Sequence, residues 1–141
     1  MLRKEITYTD FNGVERTEPF YFNLSKAELM EIDLTSMGGF ENTVKAIIDT
    51  HDTPSLIKIF KEFILKAYGE KSPDGKRFMK VNDDGVPVSR AFSETNAYSE
   101  LFMELATDDV AAAEFINGII PADVSKKALD EGLIQLPHKD N

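Results

Sequence analysis

The residues most able to do chemistry form one short cluster, Asp49-Thr50-His51-Asp52. Two carboxylates and an imidazole could together bind a divalent cation. On a helix end, however, positions 49, 51 and 52 face different directions, and the cluster offers only one imidazole. A helix C-terminus that favours a cationic side chain, followed by a cap, explains these residues without a metal. We therefore expect no metal site and no cofactor.

Two other motifs resemble ligand-binding loops only superficially. Asn82-Asp83-Asp84-Gly85 lacks the ligand spacing and the closing Glu of an EF-hand calcium loop, so we interpret it as a turn. Gly38-Gly39 matches neither a phosphate-binding loop nor a dinucleotide fingerprint. Neither motif predicts a ligand.

The residues of covalent or acid–base catalysis do not form a recognisable pattern. The chain has no Cys, no serine lies in a nucleophile elbow, and neither His51 nor His138 has an evident partner. The pair Asp108-Asp109 is better explained as the acidic start of a helix than as two catalytic carboxylates. We expect a protein that is not an enzyme.

Charge and hydropathy exclude two classes of partner. The net charge is −9, with 16 basic residues spread among 25 acidic ones, which argues against a nucleic-acid partner. No apolar stretch approaches the roughly 20 residues that span a bilayer, and the N-terminus has no signal-peptide pattern. We expect a cytosolic protein without a membrane partner, built as one helical domain over residues 1–136 with a flexible tail over 137–141.

The N-terminal residues 3–22 predict a β-hairpin. Asn12-Gly13 indicates a two-residue type I′ turn, which would pair Phe11 with Val14. That register puts Ile6 and Phe20 on opposite faces, and a bulge near Glu18-Pro19 would repair the mismatch. The pattern therefore predicts a hairpin with an irregular second strand.

Helical patterns follow the hairpin and occupy most of the remaining chain. Ser25 and Glu28 form a capping box, flanked by Leu24 and Leu29 at the hydrophobic-staple positions. The fold class is mainly α (α+β): an N-terminal hairpin followed by a compact bundle of five to six short helices. The predicted helices run from Ser25 to Met37 at the latest, over about 40–51, from Thr53 or Pro54 to Tyr68 with Gly69 at C′, from a Ser93 cap to about 106, from Thr107-Asp108-Asp109 to Gly118-Pro121, and over about 122–131.

The polar middle of the chain, residues 70–92, allows two interpretations. Residues 76–88 contain a turn between two short β-prone runs, which would form a small second hairpin. A mobile loop explains the same composition. Tyr21, Phe78 and Phe92 lie in or beside irregular segments, where exposed aromatic side chains often anchor partners. They are the candidate partner-binding residues, although half of them or more would be explained equally well by covering the core.

Three stretches together resemble a known family. They are FYFNLSKAEL at residues 20–29, ILKAYGEKSPDGKRF at 64–78, and FSETNAYSELFMELATDD at 92–109, which continues as AEFINGIIP at 113–121. The sequence resembles the tail assembly chaperones of long-tailed, siphovirus-type bacteriophages and of prophages in Gram-positive hosts. The resemblance covers most of the chain, from about Lys4 to Pro121, and rests on packing and capping residues.

The resemblance implies a function and its partners. Such chaperones bind the long, aggregation-prone tape measure protein in the host bacterial cytoplasm until the tail tube polymerises, and they are absent from the mature virion. A frameshifted longer form would recruit the major tail tube protein, and the chain ending at Asn141 would be the short form. The resemblance leaves self-association into a homo-oligomer open. The main alternative function is a structural virion component, such as a head–tail connector or a tail completion protein, and a third is an inhibitor or regulator that acts on a host protein.

Overall fold

A computed structural model describes residues 1–35 and 53–121, which form a four-stranded antiparallel sheet and five helices. The α+β class predicted from the sequence is confirmed. Three predictions lie outside the described residues: the helix over 40–51 with the Asp49–Asp52 cluster, the last helix over 122–131, and the tail over 137–141. The elements in chain order are β1 (Leu2–Thr9), β2 (Glu15–Phe22), α1 (Lys26–Thr35), α2 (Thr53–Ala67), β3 (Tyr68–Lys71), β4 (Phe78–Met79), α3 (Val88–Ser93), α4 (Asn96–Thr107) and α5 (Asp109–Ile119).

The N-terminal hairpin is present, but its predicted two-residue turn is wrong. The loop has three residues: Gly13 N–H donates to Asp10 O at 3.0 Å, Asp10 N–H donates to Val14 O at 2.9 Å, and Gly13 has φ +80°. This is a type I turn followed by a glycine bulge. The side chain of Asp10 selects this geometry, because its Oδ1 accepts from the N–H of Asn12 and of Val14, each at 2.9 Å.

The longer loop shifts the strand register by one residue and removes the predicted mismatch. Leu2 now faces Phe22, Lys4 faces Phe20, and Ile6 faces Glu18, so the large apolar residues of both strands share the inner face. Glu5 faces Pro19 in a regular pair, and the bulge predicted near Glu18-Pro19 is absent. In an antiparallel ladder counted from the Asp10–Val14 bond, Pro19 falls where its missing N–H would point away from β1.

The chain passes from α2 directly into β3, which corrects the predicted role of Gly69. We expected Gly69 to end the helix at C′, but α2 ends at Ala67 and Tyr68–Lys71 form a strand beside β2. The small second hairpin predicted within 76–88 is reduced to one bridge, Val81 to Pro87. The strand of that segment, β4, pairs with β3 instead. Its loop, Asn82–Val86, repeats the hydrogen bonds of Asp10–Val14, which agrees with the turn interpretation.

Local capping residues set the helix starts. The Ser25–Glu28 capping box is confirmed by reciprocal bonds, Ser25 N–H to Glu28 Oε1 at 2.8 Å and Glu28 N–H to Ser25 Oγ at 3.1 Å. The helix predicted to start at Thr107-Asp108-Asp109 does start there, and Asp108 is its cap. The predicted Ser93 cap is wrong: Ser93 ends α3, and Thr95 Oγ1 accepts from Tyr98 N–H at the start of α4.

The core lies between the inner face of the sheet and helices α2 to α5, and its centre is aromatic. The Phe92 ring stacks on Tyr68 at 4.2 Å between centroids and meets Phe20 and Phe22 at 5.3 and 5.8 Å. Phe115 packs edge-on against Phe22 at 5.3 Å. Offset and edge-on ring pairs add stabilisation beyond the burial of their area.

The carboxyl ends of two helices converge on the segment that follows β2. Asn23 N–H donates to Ala67 O at the end of α2, and Leu24 N–H donates to Ile119 O at the end of α5, at 2.8 and 2.7 Å. Lys80 Nζ completes this junction by donating to Lys66 O at 2.6 Å, Asn23 O at 3.0 Å and Glu28 Oε2 at 2.7 Å. Helix carbonyls without an intrahelical partner are thereby satisfied.

Lys80→Met is expected to lower the free energy of unfolding by about 1–3 kcal/mol, because it leaves a carboxylate and two carbonyls without their donor while keeping the apolar stem. Urea unfolding measures the change. The matched control is Lys76→Met at an exposed position, for which we expect a change within about 0.5 kcal/mol. Equal effects of the two substitutions would contradict the role given to Lys80.

Stability is expected to decrease between about pH 10 and pH 12 through Tyr68. Burial, with a smaller contribution from Glu70, raises the pKa of Tyr68 from 10.0 to about 12. Over that interval the unfolded chain loses the phenolic proton while the folded chain retains it, so rising pH favours unfolding. The measurement is urea unfolding across this range, where Tyr68→Phe should show a shallower decrease than the wild type. If the free energy of unfolding of Tyr68→Phe and of the wild type decreased equally with pH, the raised pKa of Tyr68 in the folded protein would be contradicted.

Candidate partner-binding surface

The three aromatic residues predicted to bind a partner divide into two groups. Phe92 is only 3% exposed and forms the centre of the core, which is the alternative that the sequence left open. Tyr21 and Phe78 are half-buried. They belong to the outer face of the sheet, because Tyr21 alternates with the inward-facing Phe20 and Phe22. Only these two remain available to a partner.

Strand pairing brings Tyr21 and Phe78 to either side of one glycine. Tyr21 pairs with Gly69 on β3, and Phe78 on β4 pairs with Lys71, two residues further along β3 on the same face. A Cβ at Gly69 would lie 2.5 Å from the Phe78 ring, so the absence of a side chain there lets the ring lie against the β3 backbone. We call Tyr21, Gly69 and Phe78 the outer aromatic strip.

Cationic side chains surround the outer aromatic strip. Lys71 Nζ lies 5.6 Å from the centre of the Tyr21 ring, and Lys80 Nζ lies at the same distance from the centre of the Phe78 ring. Arg3 is the cross-strand neighbour of Tyr21 on β1. Cations over aromatic faces hold the rings in place. Two of these three cations are themselves paired, Lys80 with Glu28 at 2.7 Å and Arg3 with Glu5 at 3.8 Å, so the charge around the strip is nearly balanced.

The tip of the first hairpin exposes a further apolar pair that the sequence analysis missed. Phe11 is 80% exposed and Val14 is 51% exposed. Arg16 Nε donates to Asp10 Oδ2 at 2.6 Å, and this bond, with the N–H groups of Val14 and Asn12, lowers the pKa of Asp10. The loop that carries Phe11 is thus fixed by its own hydrogen bonds. A Phe inside a tight turn was the available signal, since such a side chain cannot reach the core.

The described residues offer little for metal chemistry or membrane insertion. Among residues 1–35 and 53–121, no cluster of three or more His, Cys, Asp or Glu is arranged to hold a metal ion. In the same part of the chain, no helix combines the length and the apolar character of a membrane span. What the described surface does present is the exposed pair Phe11 and Val14 at the hairpin tip and the half-buried rings of the outer aromatic strip.

Comparison with known families agrees with a binding role. The model of a family described as phage tail assembly chaperone matches residues 1–140 of the chain. The chain belongs to this family. No curated protein and no solved structure matches it. The resemblance to tail assembly chaperones found in the sequence is thereby confirmed, and membership of a chaperone family favours a protein that does not act as an enzyme.

Within this chaperone, Gly69→Ala is expected to displace the Phe78 ring from β3 and to lower the free energy of unfolding by about 1 kcal/mol, because the ring can turn towards solvent. In a Phe78→Ala background the same substitution should cost markedly less, since the clash is gone. Urea unfolding of the wild type, the two single variants and the double variant measures this coupling. An equal cost with and without the Phe78 ring would contradict the close contact.

Proposed function

We propose that the chain binds the tape measure protein of a siphovirus-type phage and keeps it soluble until the tail tube polymerises, without catalysing a reaction. The observation that carries this proposal is the match of the tail assembly chaperone family to residues 1–140. Within tail assembly, a long protein that must stay unaggregated before the tube forms around it is the component that most needs a chaperone.

The described surface supports binding by apolar contact combined with charge. Phe11 projects from a loop whose backbone is fixed by Asp10, so its ordering costs little entropy when a partner covers it. The outer aromatic strip offers two further ring faces. A net charge of −9 favours solubility of a complex that carries many copies of the chain.

The proposal includes the place and fate of the complex. Assembly takes place in the host bacterial cytoplasm, the chain is absent from the mature virion, and a longer frameshifted form recruits the major tail tube protein. Binding of many weakly held copies suits release when the tube displaces them. Virion mass spectrometry distinguishes this proposal from a structural virion component, for which a stoichiometric signal of the chain is expected.

Co-expression with the tape measure protein of the same phage tests the proposed function. We expect the tape measure protein to move from the pellet to the soluble fraction and to co-purify with the chain. Phe11→Ser should weaken the complex roughly tenfold, the loss typical of one exposed anchor, while urea unfolding of the chain stays unchanged. The control is Val110→Ser on α5, another exposed apolar position, which should bind like the wild type.

Two results would overturn the proposed function. One is a tape measure protein that aggregates equally with and without the chain. The other is a tape measure protein that stays soluble but never associates with the chain, because its solubility would then have a different cause.

A further inference from the structure

Strand β1 is the edge of the sheet, and half of its backbone groups point away from β2. The bond from Asp10 N–H to Val14 O makes Asp10 a hydrogen-bonded residue of the hairpin ladder. By the alternation of antiparallel pairs, the even-numbered residues of β1 bond to β2 and the odd-numbered ones face outward. Thr9 confirms this direction independently, because its C=O accepts from Asn96 Nδ2 at 2.8 Å.

Three outward-facing residues of β1 therefore keep free backbone groups. They are Arg3, Glu5 and Thr7. Among residues 1–35 and 53–121, their N–H and C=O groups have no hydrogen-bond partner. Unpaired groups along a strand edge form a template for one more strand.

A groove lies beside this edge. Its volume is about 240 Å³, and it is lined by residues 4–7 of β1 and by Glu100, Leu101 and Glu104 of α4. Ile6 and Leu101 are 5% and 1% exposed, so they form an apolar base. A chain lying along β1 would therefore rest one set of side chains against α4.

Acidic side chains lie on both sides of this edge. Glu100 and Glu104 of α4 line the groove, whereas the side chain of Glu5, an odd-numbered residue of β1, projects from the outer face of the sheet. Lys4 Nζ is already bound to Glu104 Oε1 at 3.0 Å. Glu5 meets only the guanidinium of Arg3, at 3.8 Å, with both side chains more than half exposed, an arrangement that contributes little. Glu5 and Glu100 thus remain able to pair with cations brought by a partner.

We propose that the edge of β1 is the site at which this chaperone binds its client, through an extended client segment that carries Lys or Arg. The segment adds a fifth strand to the sheet by main-chain bonds to Arg3, Glu5 and Thr7, and its basic side chains pair with Glu5 and Glu100. This inference rests on the proposed function, because the client is the tape measure protein. Main-chain pairing tolerates many sequences, which suits a chaperone that must cover a long client.

Charge argues against a second copy of the chain as the occupant. Each copy carries a net charge of −9, so two copies repel each other as they approach. A client segment that carries cations avoids this repulsion.

The backbone part of the proposal is tested by Thr7→Pro against Thr7→Val, each in complex with the tape measure protein. Both remove the Oγ1 contact with Thr17 Oγ1, but only Pro removes the outward N–H and places its ring at the edge. Pro19 already lies at a position of β2 where its missing N–H would point away from β1, and the β1–β2 pairing stays regular there, so the ladder tolerates a Pro at such a position. We expect Thr7→Pro to weaken client binding about tenfold or more and Thr7→Val to bind like the wild type.

The charge part is tested by Glu100→Lys against Glu114→Lys. Glu114 is an exposed acid on α5 outside the groove. Reversal at Glu100 should weaken client binding by about tenfold, and the difference from Glu114→Lys should shrink at high salt, because screening removes charge attraction between exposed groups.

Hydrogen exchange gives a measurement that needs no substitution. On addition of the tape measure protein to the wild-type chain, the amides of Arg3, Glu5 and Thr7 should become protected. If Thr7→Pro fails to fold, this exchange measurement still tests the edge site.

The possible failures are distinguishable. If the wild-type chain does not bind the tape measure protein, the proposed function fails and this inference falls with it. If the wild type binds but Thr7→Pro matches Thr7→Val, or the three amides stay unprotected, only the edge site is overturned. A wild-type dimer that Thr7→Pro converts to a monomer would assign the edge to self-association and would also overturn it.

Discussion

The fold depends on the place where two helix ends meet the segment after β2. The carbonyl ends of α2 and α5 both accept hydrogen bonds from the consecutive residues Asn23 and Leu24, and Lys80 joins α2 to the capping box of α1. A helix end buried without donors costs free energy for every unpaired carbonyl. Because one extended dipeptide serves both helices, the sheet and the helices hold their relative positions. The positions of the β1 edge and of the outer aromatic strip therefore depend on this junction.

Sequence reasoning succeeded where a local signal decides the structure and failed where distant residues decide it. The capping box at Ser25 and the acidic helix start at Asp108-Asp109 involve residues three apart or fewer, so their types were sufficient. Asn12-Gly13 also looked decisive, but the side chain of Asp10 accepts two backbone bonds that only the three-residue loop provides. The strand at Tyr68–Lys71 could not be predicted from its own residues, because it exists through pairing with β2 and β4.

The candidate surface shows the same division. Tyr21 and Phe78 were identified from their positions near irregular segments, but that argument could not distinguish them from Phe92, which is buried in the aromatic core. Burial depends on which face of the sheet a residue occupies, and the face depends on register. The proposed role of β1 could not be predicted from the sequence at all. Whether a strand lies at an edge is a property of strand order, and the order β1-β2-β3-β4 appears only once the chain is folded.

The proposed edge site and the exposed anchors would together explain how one small chain serves a long client and then leaves it. Main-chain pairing along three outward residues gives few bonds, so each copy contributes modest affinity, and coverage depends on the number of copies. The charged residues Arg3, Lys4 and Glu5 discourage uncontrolled pairing along the same edge. Acids at the rim then favour client segments that carry cations over the acidic chains of other copies. In this proposal, tolerance of client sequence comes from the backbone of the strand edge, and selectivity by charge comes from the acidic side chains beside it.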